Sequence, residues 1–255
     1  MNYLMGIDLG TSSTKTLIID ELGRTVGIGN ASYGLQIPQI SYAEQDPEEW
    51  WQAVKKSIAE ALKKADIQSK EIRGIGFSGQ MHGMVALDEQ KKLVCPAIIH
   101  LDQRSGAELE EMRSLAGNLM REELLNRPSA GMLISTIYWM KKHQPEQYDR
   151  IRYVMSPKDY IAFRLCGEIG TEYTDAAATL AFSVKNRRWC SEWFRCLGIK
   201  EDIWAPVHNS YDIMGKVTKE AAEETGLSTE TCVVCGAGDS LAALTGNGVI
   251  ESGIM

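Results

Sequence analysis

Apolar and polar positions first alternate with a period of two. Residues 3–9 (YLMGIDL) read as a half-buried strand, GTSST as a small polar turn, and KTLIID at 15–20 as a second strand. A third strand follows the turn ELGR, so the spacing predicts an antiparallel meander joined by tight glycine-containing turns. Asp8 then lies near the end of the first strand, with the GTSS turn beside it.

The period next becomes helical. In AEQDPEEWWQAVKKSIAEALKKA, Asp46 fits an N-cap, Pro47 the first helical position, and Glu48 and Glu49 the first turn. Trp50, Val54, Ile58, Ala61 and Leu62 recur at helical spacing, which predicts a core-facing stripe over about five turns. IRGIGFSGQMHGMVAL reads as a strand, a glycine-bounded polar interruption at 79–83 and a second strand. PAIIHLDQRS predicts a strand running to Leu101, with Asp102 and Arg104 after it and a helix from about Ser105 to 116; another helix is expected over 132–142.

SPKDYIAFRLCG predicts a helix opened by Ser156 and Pro157 and closed by Gly167. Residues 168–212 give mixed signals and mark the expected insertion on the core fold. GKVTKEAAEETG reads as a strand leading into a helix, CVVCGAGD as an apolar strand ending in Gly-Ala-Gly-Asp, and SLAALTGNG as a helix. There is no fixed-period repeat and no low-complexity linker.

Composition narrows the classes. Hydrophobic residues make up 44% and charged residues 24% of the 255, as in an ordinary globular chain that folds as one large domain or two small ones. The formal charge of -7 without a basic stripe argues against a nucleic-acid partner. The N-terminus lacks a signal-peptide pattern, and no apolar run approaches the ~20 residues of a membrane span. A cytoplasmic protein with no membrane partner is expected. The six cysteines are expected as free thiols; Cys232 and Cys235 have redox or metal spacing, but they sit in a buried strand with no second pair nearby.

Four polar clusters carry candidate chemistry. In GIDLGTSSTK, a strand-end carboxylate at Asp8 precedes Gly10, Thr11, Ser12 and Ser13, which offers a Mg²⁺-directed anion beside N–H and hydroxyl donors for phosphate. The same residues also suit a plain hairpin turn. In GAGDS, Asp239 falls where a strand hands over to a helix N-terminus, a place equally served by an ordinary N-cap. GQMHG supplies Gln80, Met81 and His82, whose amide and imidazole can donate and accept to hydroxyls, and a histidine in a turn is also common surface decoration. LDQRS places Asp102 and Arg104 after a strand, where a local ion pair is the simpler reading. What joins the four is position, because strand ends line the ligand crevice of α/β sheets.

These motifs, with SPKDYIAFRLCGE, the downstream TDAAAT and CGAGDSLAALTGNG in the same order, resemble the N-terminal domain of FGGY-family carbohydrate kinases across essentially all 255 residues. The resemblance implies an α/β, ribonuclease H-like (actin-like ATPase) fold: a mixed five-stranded sheet flanked by helices, with an insertion. Residues 1–255 would be the sugar-binding domain, and the nucleotide-binding domain would lie outside them. By the same resemblance ATP and Mg²⁺ are the cofactors and a sugar the other small-molecule partner. The implied reaction is ATP-dependent phosphorylation of a ketopentose, D-xylulose to D-xylulose 5-phosphate. Gluconate, another sugar or polyol, and a non-catalytic sugar-binding module stay open as alternatives.

Residue roles follow from the resemblance. Asp8 would act at Mg²⁺ and the transferred phosphate, and Gly10 to Ser13 would face the nucleotide phosphates. Met81 and His82 would contact the sugar with Gln80 beside them, Asp102 would join the substrate site, and Asp239 would be the catalytic base. The family often carries a lysine where STIYW here has Thr136. A homodimer enters through the resemblance alone, and the isolated domain is expected to be inactive as a kinase.

Overall fold

The meander forms as the alternation requires. Strands β1 (Tyr3–Leu9), β2 (Ser13–Asp20) and β3 (Thr25–Ser32) pair antiparallel, with Asp8 opposite Lys15 and Leu9 opposite Thr14. Met5, Ile7, Leu9 and Ile18 are at most 2% exposed, so slipping the register by one residue would turn this apolar set away from the core. The structure, a computed structural model, describes residues 2–251 and residue 253.

Helix α1 (Pro47–Ala65) begins where Asp46 accepts from the Glu48 N–H at 2.9 Å, and it buries Trp50, Val54, Ile58 and Ala61 completely. Leu62 is only partly buried, whereas Trp51, outside the expected stripe, is buried and donates its indole N–H to Glu224 at 2.8 Å. The helix lies across β3 and β2 at minimal separation. A β-carbon on Gly29 would sit 1.9 Å from the Ser57 carbonyl oxygen, and the Thr16 and Ser57 hydroxyls meet at 2.7 Å beneath it.

Strand β4 (Ile72–Gly79) runs parallel to β1. Along the chain follow helices α2 (Leu133–His143), α3 (Pro157–Cys166) and α4 (Tyr173–Ala178), strand β5 (Ile213–Lys216), helix α5 (Lys219–Thr225), strands β6 (Cys232–Val234) and β7 (Ala237–Gly238), and helix α6 (Asp239–Gly246). The mixed sheet has the order β5-β6-β4-β1-β2-β3, and β7 pairs with β4 beyond the end of β6. The antiparallel β5 adds an edge position to the five strands expected. Helices α1, α3 and α5 cover one face of the sheet and close the first core with Ile7, Ile75, Ile161 and Val233.

A second core extends the expected insertion well beyond 168–212. Met84, Ile98, Met112, Ile134, Met140, Val154, Trp193 and Phe194 are all buried in it, so the lobe begins directly after GQMHG. Two local expectations also change. The strand expected to reach Leu101 is Ala97–Ile98, because the chain turns there and Asp102 Oδ1 accepts from the Arg104 N–H at 2.9 Å in an Asx turn. Ser156 precedes α3 as expected but makes no capping hydrogen bond through its side chain.

The opposite sheet face carries two neighbouring apolar grooves of about 330 Å³ each. The one lined by Leu17, Gly76 and Phe77 ends on Asp8, Lys15, Ser78 and Gly236. Among the described residues no helix is long and apolar enough to cross a membrane.

Candidate active site at three adjacent strand ends

The sheet register brings three of the polar clusters to one line. Leu9 of β1 pairs with Gly79 of β4, and Gly79 pairs with Gly238 of β7. One residue earlier, Asp8, Ser78 and Ala237 stand in a row. The GTSS turn, the QMHG segment and Asp239 therefore leave parallel strands at the same level, on the side where such sheets open their ligand crevice.

The first turn is tied down from behind. The Gly10 carbonyl accepts from the Tyr33 hydroxyl, the Thr11 carbonyl from Gln45 Nε2 at 2.8 Å, the Ser12 carbonyl from the Tyr33 N–H at 3.2 Å and the Ser13 carbonyl from the Gly10 N–H at 3.0 Å. In a trans peptide the N–H points opposite to the carbonyl. Fixing the Gly10, Thr11 and Ser12 carbonyls inward thus aims the following N–H groups outward, the polarity an anionic phosphate needs. Burial, reinforced by the charge of Asp8, pushes the Tyr33 hydroxyl well above the usual phenol range, so it stays a protonated donor.

Asp8 is half-buried, and among the described residues its carboxylate has neither a hydrogen bond nor an ion pair. No group of three or more His, Cys, Asp or Glu that could hold a metal ion is found there or elsewhere among the described residues. One unengaged carboxylate beside outward N–H groups fits Mg²⁺, which is commonly held through one or two carboxylates with water and substrate phosphates.

In the second segment the Gln80 N–H donates to the Leu9 carbonyl at 2.8 Å, continuing the strand pairing by one residue. Gln80 itself is 1% exposed, with Nε2 donating to Gln45 Oε1 at 3.1 Å and toward the Gly10 carbonyl at 3.5 Å. Gln80 Nε2 thus braces the GTSS turn from behind, while its buried Oε1 has no hydrogen-bond partner among the described residues. His82 takes a left-handed conformation (φ 70°) and places Nδ1 2.8 Å from the Ala178 carbonyl oxygen. A carbonyl only accepts, so Nδ1 carries the proton, and in the neutral ring Nε2 is the free acceptor. Met81 is half-buried against the third strand end; a β-carbon on Gly238 would lie 2.7 Å from its sulfur.

Asp239 is the first residue of α6 and is exposed, its Oδ1 accepting from the Ser240 N–H at 2.6 Å and the Ser240 hydroxyl at 3.2 Å. His100, read from sequence as part of a strand, joins this group. Its Nδ1 is buried without a partner, and burial together with His82 lowers its pKa against the opposing pull of Asp239. The signal was a polar residue closing the apolar run PAIIH, directly before LDQRS.

Asp102 is corrected. It is 1% exposed, and its carboxylate accepts from the Ala43 N–H at 2.7 Å and from the Arg104 N–H and Nε at 2.9 Å. Arg104 also reaches Glu44 at 2.6 Å and lies 3.7 Å over the Tyr42 ring. The pair anchors the loop that delivers Gln45. Thr136 is likewise 1% exposed within α2. All six cysteines are free thiols, and burial pushes Cys235 up to about 11, away from the depressed value of a reactive thiol. A larger cavity, about 560 Å³, lies between α3 and α5, away from the strand ends.

Comparison with known proteins places this geometry. The profile of the FGGY family of carbohydrate kinases, N-terminal domain, matches residues 3–246. A xylulose kinase of Bacillus subtilis is 35% identical over 253 residues, covering 99% of this chain and 51% of the relative. Among solved structures, a xylulose kinase from Rhodospirillum rubrum superposes with a TM-score of 0.93 at 26% identity, covering 99% of this chain and 52% of that one. A gluconate kinase from Lactobacillus acidophilus gives 0.87 at 25% identity, with 94% and 48% covered. The chain spans about half the length of the curated relatives it matches.

Proposed function

The chain belongs to the FGGY family of carbohydrate kinases, and from that premise we propose that it is the sugar-binding half of an ATP-dependent ketopentose kinase that converts D-xylulose to D-xylulose 5-phosphate in the cytoplasm. The observation that carries the reading is the register Leu9, Gly79, Gly238, which brings the Gly10–Ser13 turn, the QMHG segment and the exposed carboxylate of Asp239 side by side.

Phosphoryl transfer asks little covalent chemistry of the protein and much positioning. In this reading Met81 and the free Nε2 of His82 hold the sugar, and Asp239 accepts the proton of the attacking hydroxyl. Asp8 would hold Mg²⁺, which would supply charge neutralisation on the phosphates. The outward N–H groups of the Gly10–Ser13 turn receive the phosphate oxygens. In this reading the adenosine-binding wall would come from the half of the relatives' length that this chain does not span.

The likeness to a gluconate kinase makes a sugar acid the competing substrate. The lining disfavours it. Met81 carries no charge, and burial together with His82 lowers the His100 pKa and so favours its neutral ring, which leaves neither of them a cation suited to a carboxylate.

The test is ATP-dependent transfer to D-xylulose by a polypeptide carrying both halves, with Asp239→Asn as the variant. Loss of transfer with sugar binding kept is the expected result. Full turnover by a folded Asp239→Asn protein overturns the assignment of the base, and the 255-residue chain alone is expected to show negligible transfer.

A further inference from the structure

The third strand end is fastened to a buried charge cluster that the reaction above does not use. Lys158, Glu172 and Asp175 have no exposed surface, and Asp159 is 1% exposed. Lys158 Nζ lies 2.6 Å from Asp159 Oδ1, 3.1 Å from Asp175 Oδ2 and 3.6 Å from Glu172 Oε1. Charges buried this deeply cost several kcal/mol each unless paired.

Three hydrogen-bonded routes run from the cluster to residues 235–238. Lys158 Nζ donates to the Cys235 carbonyl at 3.4 Å. Glu172 accepts from the Ser210 hydroxyl at 2.9 Å, and the Ser210 carbonyl accepts from the Gly236 N–H at 2.9 Å. Glu172 Oε1 also accepts from the Thr174 hydroxyl at 2.6 Å, and the oxygen of that hydroxyl accepts from the Gly238 N–H at 2.9 Å. A hydroxyl has one proton, so donating it to Glu172 turns the oxygen lone pairs to Gly238.

Asp239 needs such support. Its carboxylate is exposed and its hydrogen bonds among the described residues come only from Ser240, the next residue along. Nothing across the site holds the side chain, so the backbone before it decides where the carboxylate stands.

We infer that Glu172 and Thr174 are positioning residues for Asp239, fixing the Gly238 peptide and through it the place where the carboxylate meets the sugar hydroxyl. The inference rests on the sugar-kinase reading for its purpose, while the strut itself belongs to the fold. Thr174 reaches Asp239 only through the Gly238 N–H, so its effect should follow the hydroxyl and not the side-chain bulk.

The experiment compares Thr174→Val, which keeps the shape and removes the hydroxyl, with Thr174→Ser, which keeps the hydroxyl. Amide hydrogen exchange is read at Gly238 and, as a core reference, at Ile75, alongside D-xylulose affinity. Thr174→Val is expected to speed Gly238 exchange about tenfold, the loss of one hydrogen bond, with Ile75 unchanged and the sugar bound several-fold more weakly. Thr174→Ser restores both. If Thr174→Val also loosens Ile75, the serine variant decides, and wild-type exchange at Gly238 is required of it. Unchanged Gly238 exchange in the valine variant, or a serine variant as fast as valine, overturns the inference alone. Absence of sugar binding in every protein, wild type included, overturns the reading it rests on and the inference with it.

Discussion

The sulfur of Met81 occupies the space above Gly238, 2.7 Å from where a β-carbon on that residue would stand. The QMHG segment and the residue before Asp239 are therefore packed directly on each other. Met81 is flexible and can swing away, so Gly238→Ala should cost stability only about 1 kcal/mol. It cannot swing without leaving the site. Titration with D-xylulose should then show about tenfold weaker binding, and unchanged affinity would separate Met81 from the sugar.

Gly29 is the opposite case. A β-carbon there meets the Ser57 carbonyl oxygen at 1.9 Å, which is helix backbone and cannot rotate aside. Gly29→Ala must push α1 off the sheet and should lower unfolding free energy by about 3 kcal/mol in urea. A loss under about 1 kcal/mol would mean that the helix does not lie this close.

Asp102 was expected at the substrate and is found as a strut. Asp102→Ala leaves the buried Arg104 with Glu44 as its one ion-pair partner among the described residues and leaves the Ala43 N–H without its acceptor. Stability should fall by about 3–5 kcal/mol, while the fraction that stays folded keeps its sugar affinity. Affinity lost in step with an intact fold would return Asp102 to the site.

The charge cluster predicts a pH dependence of definite sign. Burial, opposed by Lys158 and reinforced by Asp159 and Glu172, pushes Asp175 up to about 7 from an ordinary value of 3.8. Between those values the folded state holds a proton that the unfolded chain has released, so this group makes stability fall as pH rises across that window and level off above it. Asp175→Asn should reduce the slope, with the upward-shifted Asp159 keeping a part of it, and leave the protein more stable than wild type at pH 8. Urea unfolding between pH 4 and 8 measures it; a wild-type slope kept in the variant would place the titration elsewhere.

Much of the framework was legible because the signals were local. The alternation in β1 and β2 and the cap at Asp46 each specify their own element, and the glycine-bounded motifs marked strand ends without any tertiary information. What escaped depends on contacts between distant residues. The size of the inserted lobe is set by a core that includes both Met84 and Trp193, which no window of sequence contains. Gln80 and Asp102 look like exposed ligands in a polar stretch, and only their partners Gln45 and Ala43 show that they are buried. His100 was hidden for the converse reason, a polar residue at the end of an apolar run.

The most direct test of the central claim is a calorimetric titration of this chain at pH 7 with D-xylulose and, separately, D-gluconate. The account predicts saturable D-xylulose binding that weakens at least about tenfold in His82→Ala, with D-gluconate bound more weakly than D-xylulose. Preference for D-gluconate, or D-xylulose binding indifferent to His82, would contradict it.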